Sequence, residues 1–287
     1  MMETWLVTGY TGFVGRRVVR YWEKDLDKRV IGLTRQELDF TDAAQIERVF
    51  DVLKPSLLIH AGAISSTGLC QKDPSLSFEV NVMGTKRLAQ ACSQRKVKMI
   101  FLSSDQVYGG EKGQEPHREE ESLTPANVYG KHKLAAEELV DALLPDGVSL
   151  RLTWMYDLPG KELGVKQNFL TLLLNSLKEG IPAKFSDRDK RGVTYVDEVV
   201  KNIGLCGRLP KGVYNFGSSS DKSMYEIAVM AARLLGKENQ VSPDEETHLE
   251  SRNLLMDPGK ARKAGIVFSD PVEGIRKCLQ DYGYLPR

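Results

Sequence analysis

Short apolar runs separated by stretches with helical spacing narrow the fold of this chain more than any other feature. Trp5-Leu6-Val7-Thr8 opens the series. Val30-Ile31-Gly32-Leu33, Leu57-Leu58-Ile59-His60, Lys98-Met99-Ile100-Phe101-Leu102 and Val148-Ser149-Leu150-Arg151-Leu152 continue it. Helical patterns fill the intervals, from about Phe13 and over 41–53, 75–94 and 128–144. A strand without polar alternation is covered on both faces, which is the habit of parallel sheets between helical layers. Right-handed crossovers then give a doubly wound α/β fold. The second half is less regular. Helices are expected over 167–178, 194–206, 223–235 and 271–282, and a strand over 212–216. The expected division is 1–153 and 154–287, with about 194–217 returning to the first part.

Composition closes several alternatives. The 287 residues carry 40 Lys+Arg against 39 Asp+Glu, a net charge of +1 without the basic excess of a nucleic-acid binder. Hydrophobic residues make up 41%, too many for a disordered chain. Cys70, Cys92, Cys206 and Cys278 form no C-x-x-C pair, and His60, His117, His132 and His248 have no ligand spacing, so no metal is expected. No apolar run approaches a membrane span, and the first residues lack the basic and apolar regions of a signal peptide. A cytoplasmic protein with reduced thiols is expected.

Gly9-Tyr10-Thr11-Gly12-Phe13-Val14-Gly15 follows the first strand and opens the first helix. Glycines at this G-x-x-G-x-x-G spacing permit a tight turn, let backbone approach a pyrophosphate and let helix pack on strand. A plain strand-to-helix turn is the alternative. The second strand ends in Leu33-Thr34-Arg35 rather than in an acidic residue that would hold a ribose 2′-hydroxyl. Arg35 could pair with a 2′-phosphate, so NADP(H) is expected over NAD(H); an ordinary surface arginine is the alternative.

Tyr129 and Lys133 stand at i and i+4 on one helix face. An ammonium beside a phenol stabilises the phenolate and fits the phenol for proton transfer near neutral pH. Ser103-Ser104-Asp105 closes the fourth strand, at the edge where open α/β sheets bind ligands. A hydroxyl there could donate to the same carbonyl oxygen.

Together these residues resemble the extended short-chain dehydrogenase/reductase family, whose fold is of the Rossmann type. The resemblance also runs through Ala61-Gly62-Ala63, Asn81-Val82-Met83-Gly84-Thr85 and Asp105-Gln106-Val107-Tyr108-Gly109. Within the family the chain looks most like the dTDP-4-dehydrorhamnose reductases and related sugar-nucleotide-binding proteins. Leu38-Asp39-Phe40, Cys70-Gln71-Lys72-Asp73-Pro74 and Arg151-Leu152-Thr153-Trp154-Met155-Tyr156 carry that likeness. It departs at Val193-Thr194-Tyr195-Val196-Asp197 and Glu250-Ser251-Arg252-Asn253, where members often carry a proline.

The resemblance implies a reductase of a keto group on a nucleotide-linked deoxysugar. Ser104, Tyr129 and Lys133 would be catalytic. Gly9, Thr11, Gly12, Phe13, Val14, Gly15, Arg35, Asp39, Phe40, Ala61, Gly62, Ala63 and Asn81 would hold the cofactor, with Tyr129 and Lys133 touching its ribose side. Asp105, Arg151, Asn168, Arg191 and Arg252 would face the substrate; for Arg191, a solvated charge in Asp187-Arg188-Asp189-Lys190-Arg191 is the alternative. The resemblance also implies a homodimer. An epimerase or dehydratase of the same family, with Asp105 as an acid, and a non-catalytic nucleotide-binding regulatory subunit remain as alternatives.

Overall fold

In the computed structural model the chain begins with β1 (Glu3–Thr8), α1 (Phe13–Trp22), β2 (Lys28–Leu33), α2 (Ala43–Leu53) and β3 (Leu57–His60). Next come α3 (Thr67–Lys72), α4 (Pro74–Phe78), a π-helical stretch (Glu79–Gly84), α5 (Thr85–Arg95), β4 (Lys98–Ser104) and a 3-10 turn (Asp105–Tyr108). α6 (Val128–Leu143), β5 (Val148–Leu152), β6 (Trp154–Tyr156), α7 (Phe169–Glu179), β7 (Ala183–Phe185), β8 (Asp189–Arg191) and β9 (Val193–Tyr195) follow. The remainder is α8 (Val196–Ile203), β10 (Gly212–Phe216), α9 (Met224–Arg233), β11 (Val241–Pro243), β12 (Arg252–Leu254), α10 (Gly259–Lys263) and α11 (Pro271–Asp281). The structure describes residues 2–110, 113, 115–159, 165, 167–244 and 252–287.

The central sheet has six strands in the order β10-β5-β4-β3-β1-β2. The ladders from β2 through β1, β3 and β4 to β5 are all parallel. The chain reverses direction across the sheet between β1 and β3, since β2 lies on one side of β1 and the later strands on the other. β3 and β5 are buried at every residue, which accounts for their mostly apolar sequences. Leu6, Leu58, Phe101, Phe50, Ile46 and Leu88 belong to one core cluster between sheet and helices. Fully burying a side chain of this kind contributes about 1.5–3 kcal/mol.

The helices start where side chains can cap them. Asp42 accepts Gln45 N–H at the head of α2, and Asn127 accepts Gly130 N–H at the head of α6. Ser223 and Glu226 form a capping box on α9, and Asp270 with Pro271 opens α11. One expectation is met with a refinement and one is corrected. The helix expected over 75–94 runs unbroken through α4 and α5, with the π-helical stretch between them. The helix expected over 194–206 begins only at Val196; Val193-Thr194-Tyr195, β-branched and aromatic, instead pairs with β6.

Two compact units make up the chain. The first gathers Met1–Gly110, Ser122–Leu152 and Val200–Asn215, and the second Glu111–Glu121, Thr153–Val199 and Phe216–Arg287. The second unit contains the short parallel pairs β6–β9, β7–β11 and β8–β12. Tyr156 packs edge-on to Phe169 at 5.1 Å and stacks on Tyr195 at 6.0 Å in its core. Within it, the segment around His117 is bound to the strand-like stretch after β12, with His117 N–H on Leu255 O and Asp257 N–H on His117 O, both at 2.8 Å. All four cysteines are buried thiols. Among the described residues no helix is long and apolar enough to cross a membrane.

His60 ends β3 inside the first unit, 1% exposed. Its Nδ1 meets Thr8 Oγ1 at 2.6 Å and its Nε2 meets Thr85 Oγ1 at 3.1 Å. Burial first, and then the charge of Lys133, hold its pKa down at about 3 against an ordinary 6.5. The folded imidazole therefore stays neutral where the unfolded one takes up a proton, and stability present above pH 6.5 is lost as the pH falls. Between pH 7 and pH 4 the parent is expected to lose about 3 kcal/mol more than His60→Gln, measured by denaturant unfolding. Parallel curves for the two proteins would exclude His60 as the cause.

Candidate functional site

The reversal between β1 and β3 is where the first cluster forms. Gly9 leaves β1 with φ +66°, and a Cβ there would lie 2.7 Å from Gly62 Cα in the turn after β3. Gly12 N–H closes the turn on Gly9 O at 2.9 Å, and a Cβ on Gly15 would lie 2.4 Å from that same oxygen. Three glycines thus bring β1, its turn and α1 closer than side chains would allow. Gly12 is the N-cap of α1, so the helix starts with no side-chain cap and no acidic residue in its first turn. Thr11 and Gly12 are exposed, and Phe13 and Val14 half-buried. Such a helix start presents N–H groups and a positive dipole end to an anion.

The turns around it are pinned by polar side chains. Asn81, 2% exposed within the π-helical stretch, accepts Ile64 N–H at 2.8 Å and donates to Ile64 O at 3.0 Å. This holds the strand exit Ala61-Gly62-Ala63. Phe40 lies against Gly62 and Gly84, where Cβ atoms would come within 2.6 and 2.5 Å of its ring. Asp39 accepts from Thr41 N–H at 2.9 Å and Thr41 Oγ1 at 2.6 Å, and those bonds, ahead of Arg35, hold its carboxyl below the usual range. Arg35 pairs with Asp39 at 3.2 Å, its side chain 77% exposed.

A second cluster forms at the C-terminal end of β4. Ser104 Oγ donates to Asp105 Oδ1 at 3.2 Å and accepts Gln106 N–H at 3.2 Å. Gln106 bridges Asp105 to Asn127, the cap of α6, at 3.2 and 3.1 Å. A Cβ on Gly130 would fall 2.3 Å from Gln106 O, so the first turn of α6 sits directly on the 3-10 turn. Tyr129 is thereby held near Ser104, whose hydroxyl favours its phenolate. Lys133, one turn on and 4% exposed, donates to Leu102 O at 2.6 Å and lies 4.5 Å from the Phe101 ring centre.

Ser104, Tyr129, Lys133 and Asp105 are thus brought together, but their electrostatics differ from the expectation. The phenol of Tyr129 is pushed up, chiefly by burial and next by the Asp105 carboxylate, with the Ser104 hydroxyl opposing. Burial pulls Lys133 down to about 8, with Glu137 the largest opposing influence. The i, i+4 spacing gives the right neighbours, yet desolvation outweighs the ammonium, whose proton is directed at a backbone carbonyl.

The expected substrate contacts separate. Arg151 is buried in the first unit, with Nε 3.1 Å from each Glu137 oxygen and a second nitrogen 2.7 Å from Tyr108 Oη. Asn168 is the N-cap of α7, accepting Leu170 and Thr171 N–H and donating to Asp157 O. These bonds tie Arg151 and Asn168 into the framework around Glu137 and the start of α7. Arg191 and Arg252 lie on the paired strands β8 and β12 of the second unit. Arg191 is buried against Trp154, 4.8 Å from its ring centre, rather than a solvated loop charge. Arg252 forms an ion pair with Asp189 at 2.5 Å. His248 and Glu250-Ser251 lie outside the described residues. Glu137 and Gln106 are not among the residues expected from the sequence. Glu137, four positions after Lys133, shares its helix face, a signal the i, i+4 pattern already contains.

Fold and site define a doubly wound α/β protein with a glycine-cradled helix start and a Ser-Tyr-Lys cluster at the end of β4. The RmlD substrate binding domain family matches residues 2–259, and the chain belongs to it. It is 30% identical to dTDP-4-dehydrorhamnose reductase of Streptomyces griseus, across 96% of this chain and 92% of that one. It is 27% identical to methionine adenosyltransferase 2 subunit beta of Xenopus laevis, across 96% and 86%. Its fold is similar to that of dTDP-4-dehydrorhamnose reductase from Bacillus anthracis, solved in complex with NADP, with TM-score 0.86, 21% identity and coverage of 98% and 99%.

Asn81→Ala is expected to cost about 1–2 kcal/mol, because the half-buried N–H of Ile64 loses its partner and the Ile64 carbonyl keeps only Cys70 Sγ. An unchanged midpoint in urea would remove Asn81 from the role of pin.

Proposed function

We propose that this protein reduces a keto group on a nucleotide-linked deoxysugar, with NADP(H) preferred and NAD(H) accepted less well. The observation that carries this reading is the convergence of Ser104, Tyr129 and Lys133 at the end of β4. The likeness to dTDP-4-dehydrorhamnose reductases along nearly the whole chain supports it. The turns at Gly9, Gly12 and Gly15, which any Cβ would fill, and the uncapped start of α1 fit a pyrophosphate. Gly62 and its neighbours line the same reversal.

The nicotinamide cofactor supplies hydride when bound. The chain's own residues manage the proton. Ser104 donates a hydrogen bond to the carbonyl oxygen of the substrate. Tyr129 delivers its phenolic proton to that oxygen as negative charge develops there. Burial and Asp105 hold that proton on the phenol, so its release depends on the charge developing on the substrate oxygen. Lys133, held by Leu102 O, stabilises the phenolate left behind and reaches the cofactor ribose. Arg191 and Arg252, on β8 and β12 of the second unit, are the cations proposed to meet an anionic ligand group. A homodimer in the cytoplasm completes the proposal, and light scattering of the purified chain tests the dimer.

The likeness to methionine adenosyltransferase 2 subunit beta supports a second reading, a nucleotide-binding partner of another enzyme. Steady NADPH consumption with a dTDP-linked 4-keto-6-deoxy sugar favours the reductase; NADPH binding without turnover favours the subunit.

Tyr129→Phe is expected to lower turnover by about 10²–10⁴ with NADPH affinity nearly unchanged. More than about a tenth of the parental rate would show that another group donates the proton. Arg35→Ala is expected to weaken NADPH roughly tenfold and NADH little, since only the former has a 2′-phosphate to pair. Equal losses for both would remove Arg35 from cofactor selection.

A further inference from the structure

The helix face that carries Tyr129 and Lys133 carries a third buried group without a role in the reduction as described. Glu137 is 2% exposed. Its carboxylate accepts from Ser103 Oγ on β4 and from Arg151 on β5, whose terminal nitrogen approaches to 2.7 Å. Arg151 also donates to Tyr108 Oη at 2.7 Å, and Tyr108 donates to Asn215 Oδ1 on β10 at 2.8 Å. One carboxylate therefore ties α6 to β4 and, through Arg151, to β5, the 3-10 turn and β10. Stability is a poor reason for such a group, because apolar replacements of buried ion pairs are often neutral or stabilising. Directional bonds and a fixed negative charge are what an apolar residue could not supply.

We propose that Glu137 is a positioning residue for the reduction: it seats α6 on the ends of β4 and β5 and sets a negative charge one helical turn from Lys133, keeping that ammonium charged. This rests on the reductase reading of Tyr129 and Lys133. Ser103 stands one residue before Ser104, so the seat of α6 and the position of the Ser104 hydroxyl are fixed by the same strand end. The groups facing Lys133 are Glu137 and Tyr129 on its own helix, His60 on β3, Cys70 on α3, and the Leu102 carbonyl and Phe101 ring on β4. Asp105, on the 3-10 turn, faces Tyr129. His60 is neutral over the working range. Burial takes Lys133 to about 8 even with Glu137 present, so loss of that charge moves it lower still.

Glu137→Gln keeps the side-chain volume and removes the charge, and it turns one of the two accepting oxygens into an NH2 that cannot accept from Arg151. In the full chain, kcat at pH 8 should fall at least about tenfold with KM within about threefold, the pattern of a loss felt in the transition state. The alkaline limb of the kcat profile should move about one pH unit or more toward neutrality. NADPH binding followed by fluorescence should show the same displacement of its alkaline limb, which needs no turnover. Ser103→Ala removes one hydrogen bond and no charge; it should lower kcat several-fold and leave both limbs in place. It carries the test if Glu137→Gln does not fold. Unmoved limbs and a kcat within about threefold in Glu137→Gln, or parental kcat and KM in Ser103→Ala, would overturn the proposal. Failure of the reductase reading looks different: the parent consumes no NADPH, or Tyr129→Phe keeps its rate, while the binding limbs still report on Glu137.

Discussion

The near-contact of two backbone turns, at Gly9 after β1 and Gly62 after β3, is the constraint on which the first unit depends. Strand order reverses between these two strands, and a reversal in a parallel sheet opens a crevice at their C-terminal ends. A Cβ on Gly9 would lie 2.7 Å from Gly62 Cα, so neither turn can move outward without widening the other. The tightness leaves room for backbone alone at the start of α1. There the helix amides are offered outward instead of being capped. Phe40 presses on Gly62 and Gly84 from the other side, which joins the turn after β2 to the π-helical stretch. A π-helical stretch is an uncommon conformation, often found at functional sites. Here it brings Asn81 to the backbone of Ile64.

Burial and chemistry pull against each other at the end of β4. Excluding water raises the cost of a phenolate at Tyr129 and of an ammonium at Lys133, moving the two groups' proton affinities in opposite directions. Local order around them comes from a relay of amides and carboxylates, Asn127 to Gln106 to Asp105 to Ser104, none of it dependent on packing alone. A second polar relay, from Ser103 through Glu137 and Arg151 to Tyr108, underlies the first on the same strand end. The site is thus framed by hydrogen bonds whose geometry tolerates little displacement, as proton transfer over short distances requires.

Family membership sets the scaffold and narrows the chemistry without fixing it. A reductase and a methionine adenosyltransferase subunit are both similar to this chain along nearly its full length. One fold can host unrelated functions, and the distinction lies in the site. The polar cluster at Ser104, Tyr129 and Lys133 is what makes reduction the stronger reading.

Much of the first unit was written in the order of residues. Strands buried on both faces are mostly apolar, so β1, β3, β4 and β5 stood out as short apolar runs, and the glycines of 9–15 marked the turn that only glycine fits. Tyr129 and Lys133 were legible because four residues is one helical turn. Other features came from contacts distant in sequence. Thr194 and Tyr195 are strand because β6 lies beside them, and the helix expected over 75–94 widens to π-helical winding where Asn81 reaches Ile64 and Gly84 meets Phe40. The sign of the Tyr129 shift followed from burial, which residue spacing does not encode. Arg151 and Asn168 carry the polar groups expected of ligand contacts, and their bonds to Glu137, Tyr108 and the start of α7 tie them into the framework. Sequence alone determined which groups could do chemistry and where the strands run, because those depend on residue type and local period. The tertiary structure decided which of those groups meet and in what charge state, because hydrogen bonding and desolvation depend on what the fold packs around them.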